Sequence, residues 1–543
     1  MRRGEIDTKL NKNIAEFPSI LLGTSPAVGI VLWAIGLGVL AASLYLAPTI
    51  TALALAAFGL GLPLFLLAWF RPEFGLLALI FLTSSFVPAD IVDVRLPIGG
   101  GLDLRDLTLL GMLGLLGFQG LTRKALPVPW WPIGMLLLAF LGLAVFSAVY
   151  ALFFQGVEPN WALNDLRILM YYAVFFVTSW VITQRRQLAI VLAGLFLIAD
   201  LTAGIVILQQ FLGTGNRLLA AMSGTHWHLW QQDAASGGFG LVRVVPPGHV
   251  LMYFMMVIAF GLMVFTRQNP RLRAILALQF VYLNVGLLLT YTRAQWVAAA
   301  IALGLIFIVL LPTYKAQFAR YLVVGIPVLL LAYTLFGTEL QESIENVPVA
   351  NALAERALSI FTPGKTLETF SLQWRLFETE EALRSISEHP LLGVALGNSY
   401  RDVTLLRGEA SGRFQGGLAR GVFSRFTRFI HSSYLSITVK MGLPALIGFL
   451  WFCVASIVKG WQLYRNLSES QLKGLVLAVV AGFIGLLQWS LLHQRLMETE
   501  STSVVGLMVG LIASVQYIQR RESGVSPFHG QSLSRIGGGE LSQ

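Results

Sequence analysis

Residues 425–452 read RFTRFIHSSYLSITVKMGLPALIGFLWF and contain a boundary between a polar segment and an apolar one. The apolar run after His431 continues to about residue 457, which is long enough to cross a hydrocarbon layer of roughly 30 Å as a helix. The preceding residues, 337–431, are instead rich in Arg, Glu, Gln, Pro and Gly. We therefore expect a membrane boundary at His431 and, before it, a long segment outside the bilayer.

The composition of the whole chain predicts many membrane spans. Of its 543 residues, 56% are hydrophobic and 12% are charged, and the mean hydropathy is +0.72. Soluble domains contain roughly 25% charged residues. The apolar runs are continuous rather than alternating, which is typical of membrane helices and not of barrel strands. The sequence therefore predicts an all-α, polytopic membrane helical bundle with about 12–14 spans.

About fourteen apolar runs have the length of a membrane helix. They lie near residues 28–47, 51–70, 74–89, 105–121, 131–154, 166–183, 188–212, 248–266, 273–291, 294–312, 320–336, 432–457, 472–493 and 502–518. Lys and Arg concentrate in alternate loops, which predicts that those loops are cytoplasmic. The net charge of +10 then belongs mainly to these loops and does not indicate a nucleic acid partner.

This topology places both termini in the cytoplasm and the long polar segment on the periplasmic face of a bacterial inner (plasma) membrane. Five segments follow from it. They are a cytoplasmic N-terminal segment (1–27), a bundle of the first eleven spans (28–336), a large, partly helical periplasmic loop that holds the candidate site (337–431), C-terminal transmembrane helices (432–518) and a disordered cytoplasmic tail (519–543).

Charged residues near span ends are the first candidates for function. Arg293 lies between two apolar runs, in LLLTYTRAQWVAAA, where a charge is costly unless it has a partner or a role. Within the long loop, the pattern LQWRLFETEEALRSIS predicts an amphipathic helix that ends before Pro390. Its polar face carries Arg375 and Glu378. Glu378 could be a second base or, as we prefer, form an ion pair with Arg375.

The end of the loop is basic. Residues 401–430 include Arg425 and Arg428, and arginine binds phosphate through a planar fork of donors. Each of these arginines could instead bind lipid head groups or pair with glutamates. His431 could accept or orient a proton from a hydroxyl group, because imidazole titrates near neutral pH, or it could only hydrogen-bond to the backbone.

The sequence predicts neither a metal site nor a cofactor. His226 and His228 form an H-x-H pattern but lack a third ligand at a known spacing. The single cysteine, Cys453, excludes a cysteine cluster. Asp200 lies in the middle of an apolar run, and it is either a proton-relay residue or, as we prefer, a hydrogen-bonded packing residue.

The stretch HSSYLSITVKMGLPAL resembles the signature of the O-antigen ligase and O-antigen polymerase superfamily. In that signature a histidine is followed by Asn, Ser or Arg, then nine residues, then Gly-x-x-Gly. Here His431, Ser432 and Gly442 match, and Ala445 stands where the second glycine is expected. The signature is degenerate, so two further motifs are needed to support the resemblance.

Both further motifs lie upstream, and the resemblance covers roughly residues 285–455. The spacing of Arg375 and Pro390 is similar to the family's arginine and the glycine-rich turn that follows it, although Ala395 replaces a usual glycine. TYTRAQWVA resembles the family's opening of a span and carries Arg293. The order of the three motifs and their predicted placement outside the bilayer make the set more specific than any one of them.

The resemblance implies a GT-C-type, metal-independent membrane glycosyltransferase. Its donor would be an undecaprenyl-pyrophosphate-linked glycan, its acceptor a glycan or a lipid-linked molecule, and membrane lipids would surround it. Arg293 and Arg375 would bind the pyrophosphate and stabilise the charge of the leaving group, and His431 would activate or position the acceptor hydroxyl. Further substrate-binding candidates are Arg428, Arg425, Glu378 and Arg167.

Several alternatives stay open at the level of sequence. The signature does not separate ligases, polysaccharide polymerases and protein oligosaccharyltransferases. A flippase or transporter of lipid-linked glycans is the main competing class, but it should carry its ionisable groups near the middle of the membrane and often shows inverted repeats. A non-enzymatic scaffold would not require arginines at span ends.

Overall fold

A computed structural model of the chain describes residues 70–84, 102–123, 131–212, 230–231, 242–243, 246, 248–266, 268–310, 370–401 and 427–523. The chain divides into two compact units, Met1–Gly75 and Leu76–Gln543. Of the first unit only residues 70–75 are described, so the helical bundle is that of the second unit.

Helices dominate the described part of the chain. In chain order they are α1 (Pro72–Thr83), α2 (Leu104–Arg123), α3 (Trp131–Phe154), α4 (Pro159–Met170), α5 (Val174–Val181), α6 (Arg185–Leu212), α7 (His249–Phe265), α8 (Pro270–Leu288), α9 (Arg293–Leu310), α10 (Phe370–Glu388), α11 (Ser433–Asn466), α12 (Ser470–Trp489) and α13 (Thr499–Glu522). Two-residue strands, β1 (Trp230–Gln231) and β2 (Val242–Arg243), form a short antiparallel ladder. The predicted all-α architecture is confirmed.

The helices coincide with the apolar runs of the sequence. In the described residues, seven helices are long and apolar enough to cross a membrane, namely α3, α6, α8, α9, α11, α12 and α13. Two shorter apolar helices, α1 and α7, accompany them. The protein is therefore a multi-pass membrane protein. The predicted spans near 28–47 and 320–336, and almost all of 51–70, lie outside the described residues.

Local sequence explains where two of these helices begin. Helix α8 begins at Pro270, and the side chain of Asn269 before it accepts a hydrogen bond of 3.0 Å from the amide of Leu272. Helix α4 also begins at a proline, Pro159, whose fixed φ suits the first helical position. The helical run predicted near 166–183 therefore begins earlier than expected, at Pro159. Helix α4 continues through a short 3-10 turn into α5.

Helix α7 is largely buried and packs against α8 and α12. Helix α5 packs along α13, where two glycines allow a close approach. A Cβ atom at Gly506 would lie 2.8 Å from the carbonyl oxygen of Tyr172, and one at Gly510 would lie 2.6 Å from Cβ of Thr178. Small residues at helix contacts are typical of membrane bundles, because packing rather than water exclusion drives association in lipid.

Helices α8 and α11 both expose apolar faces. Ile275, Leu278 and Val281 of α8 are exposed at helical spacing, and so are Ile447 and Trp451 of α11. Residues three or four apart share one side of a helix. These faces are suited to contact with lipid chains, whereas the opposite faces of α8 and α11 pack against the bundle.

Candidate active site

The candidate site begins at a break in helix α11. Gly442 has φ 80° and ψ 172°, which is outside the helical range. A turn formed by residues 389–398 lies in this break. The amide of Leu443 donates to the carbonyl oxygen of Pro390 (2.8 Å), and the amide of Val394 donates to that of Val439 (2.8 Å). A Cβ atom at Gly442 would collide with the backbone of the turn, so the glycine of the signature is required for this docking.

Two small residues stand where the signature usually has glycine. Ala445 is fully buried on α11, so only a small side chain is accommodated there. Ala395, in the docked turn, has φ 77°. An L-residue in this left-handed region costs roughly 1–2 kcal/mol relative to the ordinary helical conformation. The surrounding contacts must therefore hold the turn against that strain.

A partly buried ion pair and a serine hydroxyl connect the turn to two more helices. A carboxylate oxygen of Asp165, on α4, pairs with Nζ of Lys440 and accepts a hydrogen bond from the amide of Gly397 (2.9 Å). The hydroxyl of Ser147, on α3, donates to the carbonyl oxygen of Lys440 (3.1 Å) and accepts from the amide of Leu396 (3.2 Å). The end of α10 is thereby fixed relative to α3, α4 and α11.

Helix α10 directs Glu378 at His431. The Nδ1 atom of His431 lies 2.6 Å from Oε2 of Glu378, and the backbone amide of His431 lies 3.3 Å from the same oxygen. Glu378 is buried, whereas the His431 side chain is 27% exposed. Because Nδ1 is held by a carboxylate, it carries a hydrogen, and Nε2 is left to accept a proton. This is the geometry of an oriented general base.

The start of α11 is fixed by the turn that precedes α13. The amide of Ser433 donates to the carbonyl oxygen of Ser490 (3.0 Å), and its hydroxyl donates to that of His493 (2.9 Å). The same hydroxyl accepts from the amide of Leu496 (3.0 Å). His431 therefore stands between two anchored points, Glu378 before it and this turn after it.

Arg401 also belongs to this cluster, although the sequence did not distinguish it from the other basic residues of the loop. Its side chain is buried, 3.7 Å from the second oxygen of Glu378, and also contacts the hydroxyl of Tyr400. The guanidinium packs on the rings of Phe377 and Tyr400. Burial lowers the pKa of Arg401 to about 10, although Glu378 and Glu381 oppose that shift. Arg401 is thus a cation at neutral pH.

Arg375 and Arg293 lie within electrostatic range of one another. Burial lowers the pKa of Arg375, nearby Glu378 raises it, and the like charge of Arg293 lowers it again. Arg375 precedes Glu378 by one helical turn, and Arg293 begins α9 directly after a tight turn in which Tyr291 has φ 50°. The structure therefore brings Arg293, Arg375 and His431 into one cluster. Glu378 supplies a negative charge to it, through its contact with His431 and its electrostatic interaction with Arg375.

The other predicted substrate-binding residues have separate surroundings. The guanidinium of Arg428 lies 4.1 Å from the centre of the Trp161 ring. Arg425 lies outside the described residues. Arg167 lies 3.5 Å from a carboxylate oxygen of Asp103 and 3.4 Å from one of Asp106. Glu378 contacts His431 and Arg401, and it also interacts electrostatically with Arg375, the partner expected from the sequence.

A second histidine–glutamate pair lies deeper in the bundle. Nδ1 of His249 is 2.7 Å from the carbonyl oxygen of Pro246 and 3.4 Å from Oε2 of Glu500. The other Glu500 oxygen accepts from the amide of Val250 (2.8 Å). The Nε2 atom of His249 is buried and has no hydrogen-bond partner among the described residues. Sequence reasoning missed this pair, because 251 positions separate its two members and no motif links them.

No group of three or more His, Cys, Asp or Glu side chains that could hold a metal ion occurs in the described ranges. His226 and His228 lie outside those ranges. Asp200 contacts the side-chain amide of Gln279, and its backbone carbonyl accepts from the hydroxyl of Tyr282 (3.1 Å). It therefore joins α6 to α8 as a hydrogen-bonded packing residue.

Fold and site together define a multi-pass, all-α membrane protein with arginines and an oriented histidine gathered at one end of its bundle. Residues 277–450 match the family model described as O-antigen ligase. That segment contains Arg293, Arg375, Arg401 and His431 and ends within α11. Over these residues the chain is similar to the O-antigen ligase family, and this similarity supports an O-antigen ligase- or polymerase-like function. No curated protein matches the chain.

Proposed function

We propose that the protein is a metal-independent, GT-C-type glycosyltransferase that transfers or polymerises glycan from an undecaprenyl-pyrophosphate-linked donor. The reaction would serve the synthesis of cell-surface polysaccharide. The observation that carries the proposal is the approach of two like-charged groups, Arg293 and Arg375, beside the oriented pair His431–Glu378. Guanidinium groups brought together against their mutual repulsion are suited to a multiply charged diphosphate.

In the proposed reaction, His431 is the general base. Its Nε2 atom takes the proton of an acceptor hydroxyl while the hydroxyl oxygen forms a bond with the anomeric carbon of the donor. The bond between that carbon and the diphosphate oxygen breaks, and undecaprenyl pyrophosphate leaves with both bonding electrons. Arg293 and Arg375 stabilise the negative charge that develops on the leaving oxygen.

Glu378 and Arg401 act through His431 and not on the substrate. Glu378 holds Nδ1 at 2.6 Å and stabilises the imidazolium that forms when Nε2 gains a proton. Arg401 lies behind Glu378, and its positive charge offsets that of this buried carboxylate. In this proposal, both are positioning residues.

Three other arginines are proposed to contact the substrates. Arg428 precedes His431 by three residues and, with Arg425, would bind the acceptor side of the reaction. Arg167 is the weaker candidate, because two carboxylates already offset its charge. It would act at the rim of the site, by attracting an anionic sugar.

The site is proposed to face the periplasm, with both termini in the cytoplasm. This assignment follows from the basic loops of the sequence, such as Arg185 with Arg186 and Arg520 with Arg521, which would remain in the cytoplasm. The site residues all adjoin loops of the opposite set. Cysteine substitutions in a cysteine-free background, labelled from the outside of intact cells, would test the orientation.

The test of function uses purified protein in lipid nanodiscs, an undecaprenyl-pyrophosphate-linked glycan, a candidate acceptor and a chelator of divalent ions. Released undecaprenyl pyrophosphate and new glycosidic product are measured for wild type, Arg293→Ala, Arg375→Ala and His431→Ala. Arg384→Ala is the matched control, because Arg384 is an exposed arginine on the same helix as Arg375. We expect full activity in the control and losses of about 100-fold or more in the three variants.

Three results would contradict the proposal in whole or in part. Equal activity of the three variants and the control would contradict the assignment of Arg293, Arg375 and His431 to the active site. Movement of the lipid-linked glycan across the membrane with no glycosidic product would indicate a flippase. Loss of activity in chelator, with recovery on addition of a divalent ion, would contradict the metal-independent reaction alone.

A further inference from the structure

An exposed tryptophan lies beside the candidate active site. Trp161 is in the first turn of α4 and is 38% exposed, although one side of its ring faces Arg428. Helix α4 has 12 residues, is not among the candidate spans and carries polar residues such as Asn164 and Asp165. Its exposed ring is therefore not part of a lipid-facing apolar stripe like that of α8.

The position of Trp161 is fixed by the docked turn. Gly397 has φ 75°, and a Cβ atom there would collide with the backbone of Trp161 and Ala162. Ala162 is fully buried against Ala395 of the same turn. The backbone that carries the indole is thus packed on the turn that also orients α10. A ring held in this way can bind a ligand at little cost in conformational entropy.

Arg428 completes a mixed polar and aromatic surface. Its guanidinium lies 4.1 Å from the ring centre of Trp161, within the range of a cation–π contact. Among the described residues, Arg428 has no carboxylate within ion-pair distance, and its Nε atom has no hydrogen-bond partner. Within the described ranges, its donors are therefore not committed to a carboxylate.

The chain connects this surface directly to the proposed base. Arg428 is three residues before His431, and the ring of Phe429 between them meets the imidazole edge-on at 4.9 Å. The start of this segment is also anchored, because the amide of Tyr400 donates to the carbonyl oxygen of Thr427 (3.1 Å). Three extended residues span at most about 10 Å, which is the scale of a short saccharide.

We propose that Trp161 and Arg428 form the subsite for the acceptor saccharide, whose hydroxyl is presented to His431. The inference rests on the proposed function and assigns the acceptor to the α4 side of His431, with the diphosphate on the side of Arg375. An indole ring packs against the apolar face of a sugar, and the guanidinium donates to its hydroxyl or acidic groups. The exposed side chains of Glu158 and Asn160, next to Trp161, add an acceptor and a donor for sugar hydroxyls.

The test is the dependence of the initial rate on acceptor concentration at saturating donor. The acceptor is the oligosaccharide of the donor lipid, released by mild acid. We expect Trp161→Ala to raise the acceptor KM by about 10-fold, with kcat and the donor KM within about threefold of wild type. Trp161→Phe keeps an aromatic ring and is therefore the variant expected to fold if Trp161→Ala does not. It should raise the acceptor KM by about two- to threefold.

Trp461 provides a matched control. It is 37% exposed, nearly the same as Trp161, and lies on α11 about 40 Å along the helix from its start. Trp461→Ala should leave the acceptor KM unchanged. An unchanged acceptor KM in Trp161→Ala would overturn the subsite. A joint loss of kcat and donor affinity would also overturn it, because that result would show that Trp161 maintains the structure of the site and does not bind the acceptor.

Binding measurements separate this inference from the proposed function. If the wild type forms no glycosidic product, the proposed function fails, and binding of the same oligosaccharide is then measured by calorimetry in nanodiscs. Weaker binding to Trp161→Ala than to Trp461→Ala would still support a saccharide subsite. Equal binding to both variants would overturn it.

Discussion

Two histidine–glutamate pairs occur among the described residues, and they differ mainly in access. In both, Nδ1 of the imidazole faces a carboxylate, at 2.6 Å in His431–Glu378 and at 3.4 Å in His249–Glu500. The His431 side chain is 27% exposed, whereas that of His249 is 4% exposed. An oriented imidazole can act on a substrate only if its second nitrogen can be reached, so the same two residue types have different expected roles.

The surroundings of the two carboxylates support this distinction. Glu500 accepts from the amide of Val250 at the start of α7 and thus joins α7 to α13. Glu378 contacts His431 and the buried Arg401, and it lies one turn from Arg375. The carboxylate of Glu500 mainly connects helices, whereas that of Glu378 is surrounded by arginines and His431. We therefore expect substitutions in the two pairs to separate stability from catalysis.

The largest expected effect is that of His431→Gln. Glutamine can keep a hydrogen bond with Glu378 but cannot take a proton, so kcat should fall by about 10²–10⁴-fold. Thermal stability should change little, since the side chain is partly exposed. Stability is measured with a thiol-reactive dye that reports exposure of the buried Cys453, the single cysteine of the chain. Retention of wild-type kcat would remove His431 as the base.

His249→Gln should give the opposite result. The change disturbs a buried contact with Glu500 and with the carbonyl oxygen of Pro246, and unsatisfied buried polar groups cost about 1–3 kcal/mol each. We expect a lower melting temperature in the same dye assay, and kcat within about threefold of wild type once the protein is folded. A 100-fold loss of kcat without loss of stability would break the comparison and make His249 part of the reaction.

Arg401→Lys tests the cation behind the site carboxylate. Burial lowers the pKa of Arg401 to about 10, and the same burial would act on an ammonium group whose ordinary pKa is already lower, about 10.4. Lysine at this position is charged below its pKa and neutral above it. The activity of the variant should therefore fall as the pH rises from about 7 to 9, where wild type keeps its cation.

The control for this pH profile is Arg384→Lys, an exposed position on α10. Its profile should match that of wild type. Identical profiles for Arg401→Lys and the control would show that Glu378 does not require a buried cation. A loss of activity that is independent of pH would instead indicate that the shape of the arginine, and not its charge, holds the site.

The smallest expected effect is that of Ala395→Gly, in the turn that supports Glu378. Ala395 has φ 77°, and glycine adopts this conformation without the steric cost of a Cβ atom. The free energy of unfolding should rise by about 1 kcal/mol, seen as a higher melting temperature, with kcat unchanged. A lower melting temperature would show that packing of the Ala395 methyl group outweighs its backbone strain.

Much of the fold was predictable from the sequence, because apolar length alone identifies membrane helices. The helices at 131–154, 249–265 and 470–489 follow the predicted runs within a few residues. The break of α11 was harder to predict from the sequence. Gly442 and Pro444 lie at the break, but only the structure shows that the turn at Pro390 is docked there.

The candidate site was predictable in part. Arg293, Arg375 and His431 were selected because each stands near a span end or in a motif, and the structure places them near one another, while their roles stay predictions. Arg401 and His249 were not selected. Their importance depends on burial and on partners far away in the chain, and neither property leaves a local pattern in the sequence.

The contact between Tyr400 and Thr427 has a consequence for how this protein could change over time. The chain leaves the site at Arg401 and returns at Thr427, and backbone and hydroxyl hydrogen bonds join the two ends. The entropy of closing a loop grows only slowly with its length. A change in the length of the intervening stretch therefore costs little in loop entropy while His431 and Glu378 keep their places. If the proposed function is correct, new acceptor preferences could arise by mutation there without rebuilding the proposed catalytic centre.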